Sequence, residues 1–404
     1  MNTIKVAVLR EGKVPPDKRV PFTPEQCKEM MDKFPGIELF VQPSEIRCFE
    51  DEAYLSQGVQ MKKDVSGCDV LIGVKEVPVE DLIADKTYLY FSHTHKLQPY
   101  NRKLISTMID KNIRMIDYEC LTYPKGGRVL GFGRFAGIVG AYNGFLAYGK
   151  KYNAYDIKAA NACDDMKEML GELSKVKLPN IKIILTGSGR VSRGSVEILE
   201  ALGIKKVNTE AFLNDSFDEP VYCQIDVDQY NSHKDGLPFD KKHFYRNGPD
   251  YVSNFERFTK VSDMFIAGHF WDNKSPVFFT KEQAQAPDFK IKVIADVSCD
   301  IACAIPSTIR PSTIADPVYD YDVITGKEAP AYGEDTITVM AVDNLPCELP
   351  KDASLDFGRH MLDHILPQFF NDDEGGILEN ASLCKDGGLS TKYAYMSDFV
   401  AGKV

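Results

Sequence analysis

Two groups of residues in this chain are of types that do chemistry. The first group stands at the ends of short apolar runs: Lys75-Glu76 after residues 70–74, His93 and Lys96 after Thr87–Phe91, and Glu119 after residues 115–118. A lysine, a histidine and carboxylates are the side chains that move protons and hold charged substrates. The second group is Thr186-Gly187-Ser188-Gly189-Arg190-Val191-Ser192, directly after the apolar run Ile181-Lys182-Ile183-Ile184-Leu185. Here the first glycine permits a tight turn and the second lets the backbone approach a pyrophosphate. A following helix offers unpaired N–H groups to the phosphates. The pattern is GxGxxS, with serine where the fingerprint has its third glycine, and it marks Gly187, Ser188, Gly189, Arg190 and Val191 as candidate cofactor contacts. About 20 residues further on the fingerprint expects a ribose-reading group. Asn208 or Glu210 suits a ribose hydroxyl, while Lys205 and Lys206 suit a 2′-phosphate, so NAD and NADP both remain open.

Both groups need a scaffold that gathers strand ends. From the N-terminus the chain alternates strand-like and helix-like segments: residues 4–9, a helix opened by Thr23-Pro24-Glu25, then strands at 38–41, 70–74, Thr87–Phe91 and 115–118. This β, α, β rhythm predicts a parallel sheet covered on both faces, whose strand ends share one edge. Lys75, His93 and Glu119 therefore converge although they are far apart in sequence. Between the first strand and first helix lies a proline-stiffened loop dense in cations, with Lys13 and Arg19, where open α/β sheets bind ligands.

Beyond it, residues 132–142 read as a glycine-spaced helix made for close packing. The dinucleotide strand and helix follow. The polar stretch 214–254 reads as a decoration of the second domain. Periodic segments resume at 261–270 and 291–296, and Asp300 lies past the end of that last strand, where it can face a nicotinamide or a substrate amine. Residues 353–370 carry apolar side chains at helical spacing and read as one long helix returning to the first domain.

The bulk numbers exclude other classes. At 404 residues, 44% apolar and 26% charged, the chain has the composition of an ordinary globular protein with a sizeable core. A net charge of −11 argues against nucleic-acid and anionic-membrane partners. No apolar run approaches 18 residues, and the N-terminus begins a strand, which predicts a cytoplasmic protein. The ten cysteines form no CxxC pair, so no metal is expected and the thiols read as free in a reducing compartment.

Assembled in order, the motifs resemble a known family. They are Gly73-Val74-Lys75-Glu76, Phe91-Ser92-His93-Thr94-His95-Lys96, Asp117-Tyr118-Glu119, Phe132-Gly133-Arg134-Phe135-Ala136-Gly137, Thr186-Gly187-Ser188-Gly189, Asp296-Val297-Ser298-Cys299-Asp300 and Val342-Asp343-Asn344-Leu345-Pro346. The chain is similar to the lysine-forming saccharopine dehydrogenases and the lysine–ketoglutarate reductases, and more distantly to alanine dehydrogenase and transhydrogenase. The resemblance implies an α/β fold of two Rossmann-like doubly wound parallel-sheet domains with an active-site cleft between them. It divides the chain into a substrate domain of residues 1–133 plus 345–404 and a dinucleotide-binding domain of residues 134–344. It implies hydride transfer between NAD or NADP and a small-molecule substrate. Lys75 and His93 take the acid–base roles. Lys13, Arg19, Glu76, Lys96 and Glu119 take the substrate-binding roles; beside what the resemblance implies, Arg128 is a further cation for the substrate carboxylates, and Asn208 and Asp300, read from their places after strands, join the cofactor contacts above. Two rival readings use the same motifs: an alanine-dehydrogenase-like enzyme, and a nucleotide-binding protein without turnover.

Overall fold

The computed structural model describes residues 3–12, 14 and 16–403. The chain folds as two compact units, one of residues 1–132 with 350–404 and one of residues 133–349. Each is built on an eight-stranded, mostly parallel sheet, so the architecture is α/β.

In the first unit β1 (Ile4–Val8), β2 (Ile37–Val41), β3 (Gln60–Met61), β4 (Val70–Lys75), β5 (Thr87–Phe91) and β6 (Arg114–Asp117) pair in parallel. These are largely buried runs rich in Val, Ile and Leu, as strands covered on both faces must be. The first helix, Pro24–Lys33, starts at a capping box in which the Thr23 hydroxyl and the Gln26 side chain satisfy each other's backbone N–H groups. The strand order β3-β2-β1-β4-β5-β6 reverses direction between β1 and β4, so this sheet has its own topological switch point.

The second unit opens with the buried helix Gly133–Tyr152. Its strands are β7 (Lys182–Thr186), β8 (Lys205–Lys206), β9 (Val221–Ile225), the hairpin β10 (Asn231–His233) and β11 (Tyr251–Ser253), β12 (Met264–Ala267), β13 (Val293–Asp296), β14 (Val318–Asp322), β15 (Lys327–Ala329) and β16 (Ile337–Met340). All but the hairpin form one sheet in the order β15-β14-β16-β13-β12-β7-β9-β8. The reading of residues 214–254 as decoration is corrected here. The stretch contains β9, which inserts beside β7 and pairs with it over its whole length. It is polar overall, but the five residues Val221-Tyr222-Cys223-Gln224-Ile225 are almost wholly buried.

The chain then returns to the first unit. The expected single helix over 353–370 is three pieces: an α-helix Pro350–His360, a π turn Met361–Ile365 and a 3-10 turn Leu366–Phe369. Pro367 explains the change, since it has no N–H and its ring clashes with the carbonyl four residues before. Phe357, Met361, Leu362, Ile365 and Leu366 nevertheless join the core of the first sheet. Two further strands, β17 (Ser382–Lys385) and β18 (Gly388–Leu389), extend that sheet antiparallel from β6. Among the described residues no helix is long and apolar enough to cross a membrane.

Candidate functional site

In the first unit Lys75, His93, Lys96 and Glu119 stand at or just past the carboxyl ends of parallel strands of the sheet. A bulge between Ile72 and Lys75 interrupts the pairing of β4 with β5 and re-aims Lys75, which ends opposite Phe91. Glu11, just past β1, accepts the backbone N–H groups of Val74 and Lys75 at 2.7 and 2.9 Å and so fixes the end of β4. Burial pushes the Glu11 carboxyl up to about 7 against the pull of those two bonds.

His93 has φ 56° and ψ 6°, a left-handed conformation that few non-glycine residues adopt. It turns the chain from β5 into the 3-10 segment Thr94–Lys96. The turn is tied down by Asp117 at the end of β6, which is wholly buried. Its carboxylate accepts the Ser92 N–H at 3.0 Å, the Ser92 hydroxyl, and the Glu119 N–H at 2.8 Å. Asp117 thus ties together the strand ends that carry His93, Lys96 and Glu119.

These side chains form one charge-compensated cluster. Lys96 Nζ lies 2.9 Å from Glu119, Arg128 lies 3.6 Å from it, and His95 Nε2 also stands 3.6 Å away. Burial disfavours the Glu119 carboxylate, but Lys96, His93 and Arg128 together hold its pKa below the ordinary value. His93 is shifted down, first by burial and then by the charges of Lys96 and Lys75, with Glu119 and Asp117 opposing. The charge of Lys75 therefore registers at His93.

Arg19 and Asp17 are both buried, with Arg19 donating to Asp17 at 3.0 and 2.6 Å and stacking 4.1 Å over the Phe132 ring. Burial works against the Asp17 carboxylate, yet Arg19 holds it down to about 2. The clamp expected of Arg19 is thus already engaged by an internal carboxylate. Lys13 lies outside the described residues. A cavity of about 880 Å³ opens over the switch point, lined among others by Arg10, Glu11, Gln42, Lys63, Lys75 and Glu76.

The second unit presents a different surface. Gly187 has φ +93°, and a Cβ there would stand 2.7 Å from the Gly268 carbonyl and 2.8 Å from Ser192 Oγ. Ser192 takes the third glycine's place because its hydroxyl lies between the Thr186 and Gly268 carbonyls, at 2.9 and 3.0 Å. Gly189 is the N-cap of the helix Arg190–Ala201, and a Cβ there would meet nothing within 4 Å. The open glycine and the helix N-terminus make a cradle shaped for a diphosphate. Beside it, His269 Nδ1 lies 2.8 Å from Thr186 Oγ1, while its buried Nε2 has no hydrogen-bond partner. Burial pushes the His269 pKa down to about 3, so the ring is neutral. An open cradle with a buried polar atom left over fits a dinucleotide.

The glycine-spaced helix Gly133–Tyr152 packs against this element. A Cβ on Gly137 would fall 1.8 Å from the Val191 carbonyl, and one on Gly194 2.0 Å from the Arg134 carbonyl, so the two backbones touch. Asp300 follows a tight turn in which Cys299 has φ 54°. Burial and the charge of Asp296 push Asp300 up to about 6.

Asn208 follows the edge strand β8, one strand beyond β9, and its side chain caps the helix Thr209–Asn214 by accepting the Ala211 N–H at 2.9 Å. The strand after the dinucleotide helix, β8, is therefore not the strand beside β7, because β9 lies between them. Sequence reasoning also passed over Glu11, His95 and His269. An acidic residue directly after a first strand was the one available signal.

Residues 7–139 match the alanine dehydrogenase/PNT N-terminal domain family. The chain is 28% identical to an alpha-aminoadipic semialdehyde synthase of Arabidopsis thaliana, over 87% of this chain and 37% of the relative. It is 24% identical to a saccharopine dehydrogenase [NAD(+), L-lysine-forming] of Emericella nidulans, over 91% of this chain and 92% of the relative. It spans less than half the length of the aminoadipic semialdehyde synthases it matches. In fold it is similar to an L-alanine dehydrogenase, with a TM-score of 0.67 at 14% identity, covering 99% of each chain. The ordered motifs, the paired sheets and these likenesses point the same way: the chain is similar over most of its length to lysine-forming saccharopine dehydrogenases and to part of the aminoadipic semialdehyde synthases, and it shares the fold of an L-alanine dehydrogenase.

Proposed function

We propose that this chain interconverts saccharopine and water with lysine and 2-oxoglutarate, with NAD or NADP as the hydride carrier. The observation that carries the reading is the cluster of His93, Lys96, Glu119 and Arg128 at one sheet edge, with the charge of Lys75 felt at His93. Saccharopine is a secondary amine bearing three carboxylates. Its oxidation needs a group to take the amine proton, a second to take a proton from the water that splits the imine, and cations for the carboxylates. The bound nicotinamide supplies the hydride acceptor in one direction and the donor in the other.

Lys75 and His93 share the proton transfers. His93, with its pKa lowered by burial, is neutral at pH 7 and able to accept a proton. Glu119 stays anionic, offsets the surrounding cations and takes part of the charge that appears on His93. Lys96 and Arg128 are about half exposed and are the cations most open to a substrate carboxylate. Arg19 takes part only by sharing its guanidinium with Asp17. In the second unit Gly187, Ser188 and Gly189 with the start of the helix Arg190–Ala201 would hold the diphosphate, and Asp300, past the end of β13, is a candidate to face the nicotinamide or the substrate amine.

The test is absorbance of the reduced nicotinamide with saccharopine and NAD or NADP, and with lysine plus 2-oxoglutarate and NADH or NADPH. Alanine and pyruvate serve as controls. Turnover of the saccharopine couple is the expected result. Turnover confined to alanine and pyruvate would make the chain a simple amino-acid dehydrogenase, and silence on every couple would overturn the reading as an enzyme.

A further inference from the structure

We infer that Asp226, at the end of the inserted strand β9, reads the adenosine ribose and makes the chain selective for NAD(H) over NADP(H). The inference rests on the dinucleotide reading of the second unit and goes beyond it by naming the discriminating group. β9 pairs in parallel with β7, with Ile225 opposite Thr186, and the Gly187 N–H donates to the Ile225 carbonyl at 2.8 Å. Asp226 therefore stands beside the glycine turn, where a doubly wound sheet places its ribose-reading acid.

The side chain is fixed in place, since Asp226 is also the N-cap of the short helix Val227–Tyr230, in a capping box with Gln229. Its Oδ2 accepts from Ser188 Oγ, inside the GxG turn, at 2.6 Å and from Lys241 Nζ at 3.0 Å, while Oδ1 accepts the Val227 N–H at 2.8 Å. It keeps about a quarter of its side-chain surface open, at 28%. Burial opposes its charge, but Ser188 and Lys241 together lower its pKa, so it is a carboxylate at neutral pH. A fixed, partly open carboxylate accepts two ribose hydroxyls and repels a 2′-phosphate.

A second feature marks the same place. Phe270 and Tyr245 are 70% and 40% exposed, with their rings 6.1 Å apart. Phe270 lies three residues past β12, which flanks β7 on the side opposite β9, and the charges of Lys241 and Asp226 both register at Tyr245. An exposed aromatic pair beside a nucleotide cradle is a surface on which a purine stacks. The insertion that carries Asp226, Lys241 and Tyr245 is thus the adenosine end of the site.

Lys241 makes the selectivity reversible. With the carboxylate removed, it is left to attract the 2′-phosphate that Asp226 had excluded. Titration of NADH and NADPH, read by nicotinamide fluorescence and by energy transfer from Trp271, the one tryptophan, measures both affinities without turnover. Wild type is expected to bind NADH at least about 100-fold more tightly, and Asp226→Ser to bring the ratio to about one or below. Asn208→Asp should leave the ratio unchanged. Equal or tighter NADPH binding by wild type, or an unaltered ratio in Asp226→Ser, would overturn the assignment while leaving the dinucleotide reading in place. Failure of a folded wild-type protein to bind either nucleotide would overturn both.

Discussion

The two sheets place their ligand-handling groups at equivalent points and build them from opposite materials. Each has a reversal of strand order, between β1 and β4 in one and between β7 and β12 in the other. At the first the surface is made of ionisable side chains: the Asp17–Arg19 pair and Lys96 and Arg128 around Glu119, which neutralise one another, and Glu11 at the end of β4. At the second it is made of backbone: two glycines, a serine between two carbonyls, and a helix start that another helix supports through glycine contacts. A site that moves protons needs groups whose charge can change, and those need compensation nearby. A site that holds a diphosphate needs donors and space, which the main chain supplies.

The contrast predicts that substitutions in the first site damage chemistry and those in the second damage structure. Lys75→Met should lower turnover by about 10²–10⁴, or about 3–5 kcal/mol in the barrier, with melting temperature and nucleotide affinity unchanged. A Lys75→Met protein with wild-type turnover would remove lysine from the proton path. Gly194→Ala makes the opposite test, because its Cβ would fall 2.0 Å from the Arg134 carbonyl. About 3 kcal/mol of stability and roughly 10 °C in Tm should go. A Gly194→Ala protein that melts normally would mean that the two helices part at no cost. Arg19→Lys lies between the two. It keeps the charge but loses the paired bonds to Asp17 and the stack on Phe132. A loss of about 2 kcal/mol in stability is expected by denaturant titration, with a rise in KM larger than the fall in kcat.

The same contrast governs what could be read before the structure. The glycine turn is local: strand, glycines and helix are adjacent in sequence, so spacing alone located Gly187 and Gly189. The convergence of Lys75, His93 and Glu119 is not local, yet it followed from one inference, that parallel strands end on one edge. What spacing could not supply was strand order. Asn208 lies where the count from Gly189 placed a ribose reader, and only the insertion of β9 beside β7 brings Asp226 next to the glycine turn. Pairing partners were equally hidden. Nothing near Arg19 says that its fork is spent on Asp17, and nothing near β6 says that residues 382–389 will lengthen the first sheet.

The smallest effect separates the two regions most sharply, because each holds one buried carboxyl pushed up to about 7. Glu11 is raised by burial against the N–H bonds of Val74 and Lys75, with Asp17, Arg19 and Lys75 around it. Glu348 is raised by burial against its bond from Asn143, which donates at 2.8 Å. A carboxyl with a folded pKa above its unfolded value binds its proton more tightly in the folded state. Its contribution is full below pH 4.5 and is lost as pH rises through 7. Between about pH 6 and 8 each should cost roughly 1 kcal/mol of stability, and Glu11→Gln or Glu348→Gln should each flatten that part of the Tm profile. Activity should tell them apart. Glu11 fixes the strand end that presents Lys75, so its substitution should also move the pH dependence of kcat/KM, whereas Glu348→Gln should leave that profile in place. Equal shifts in both variants would mean that the profile follows stability and not the proton path, and the division of labour between the two sheets would fail at that point.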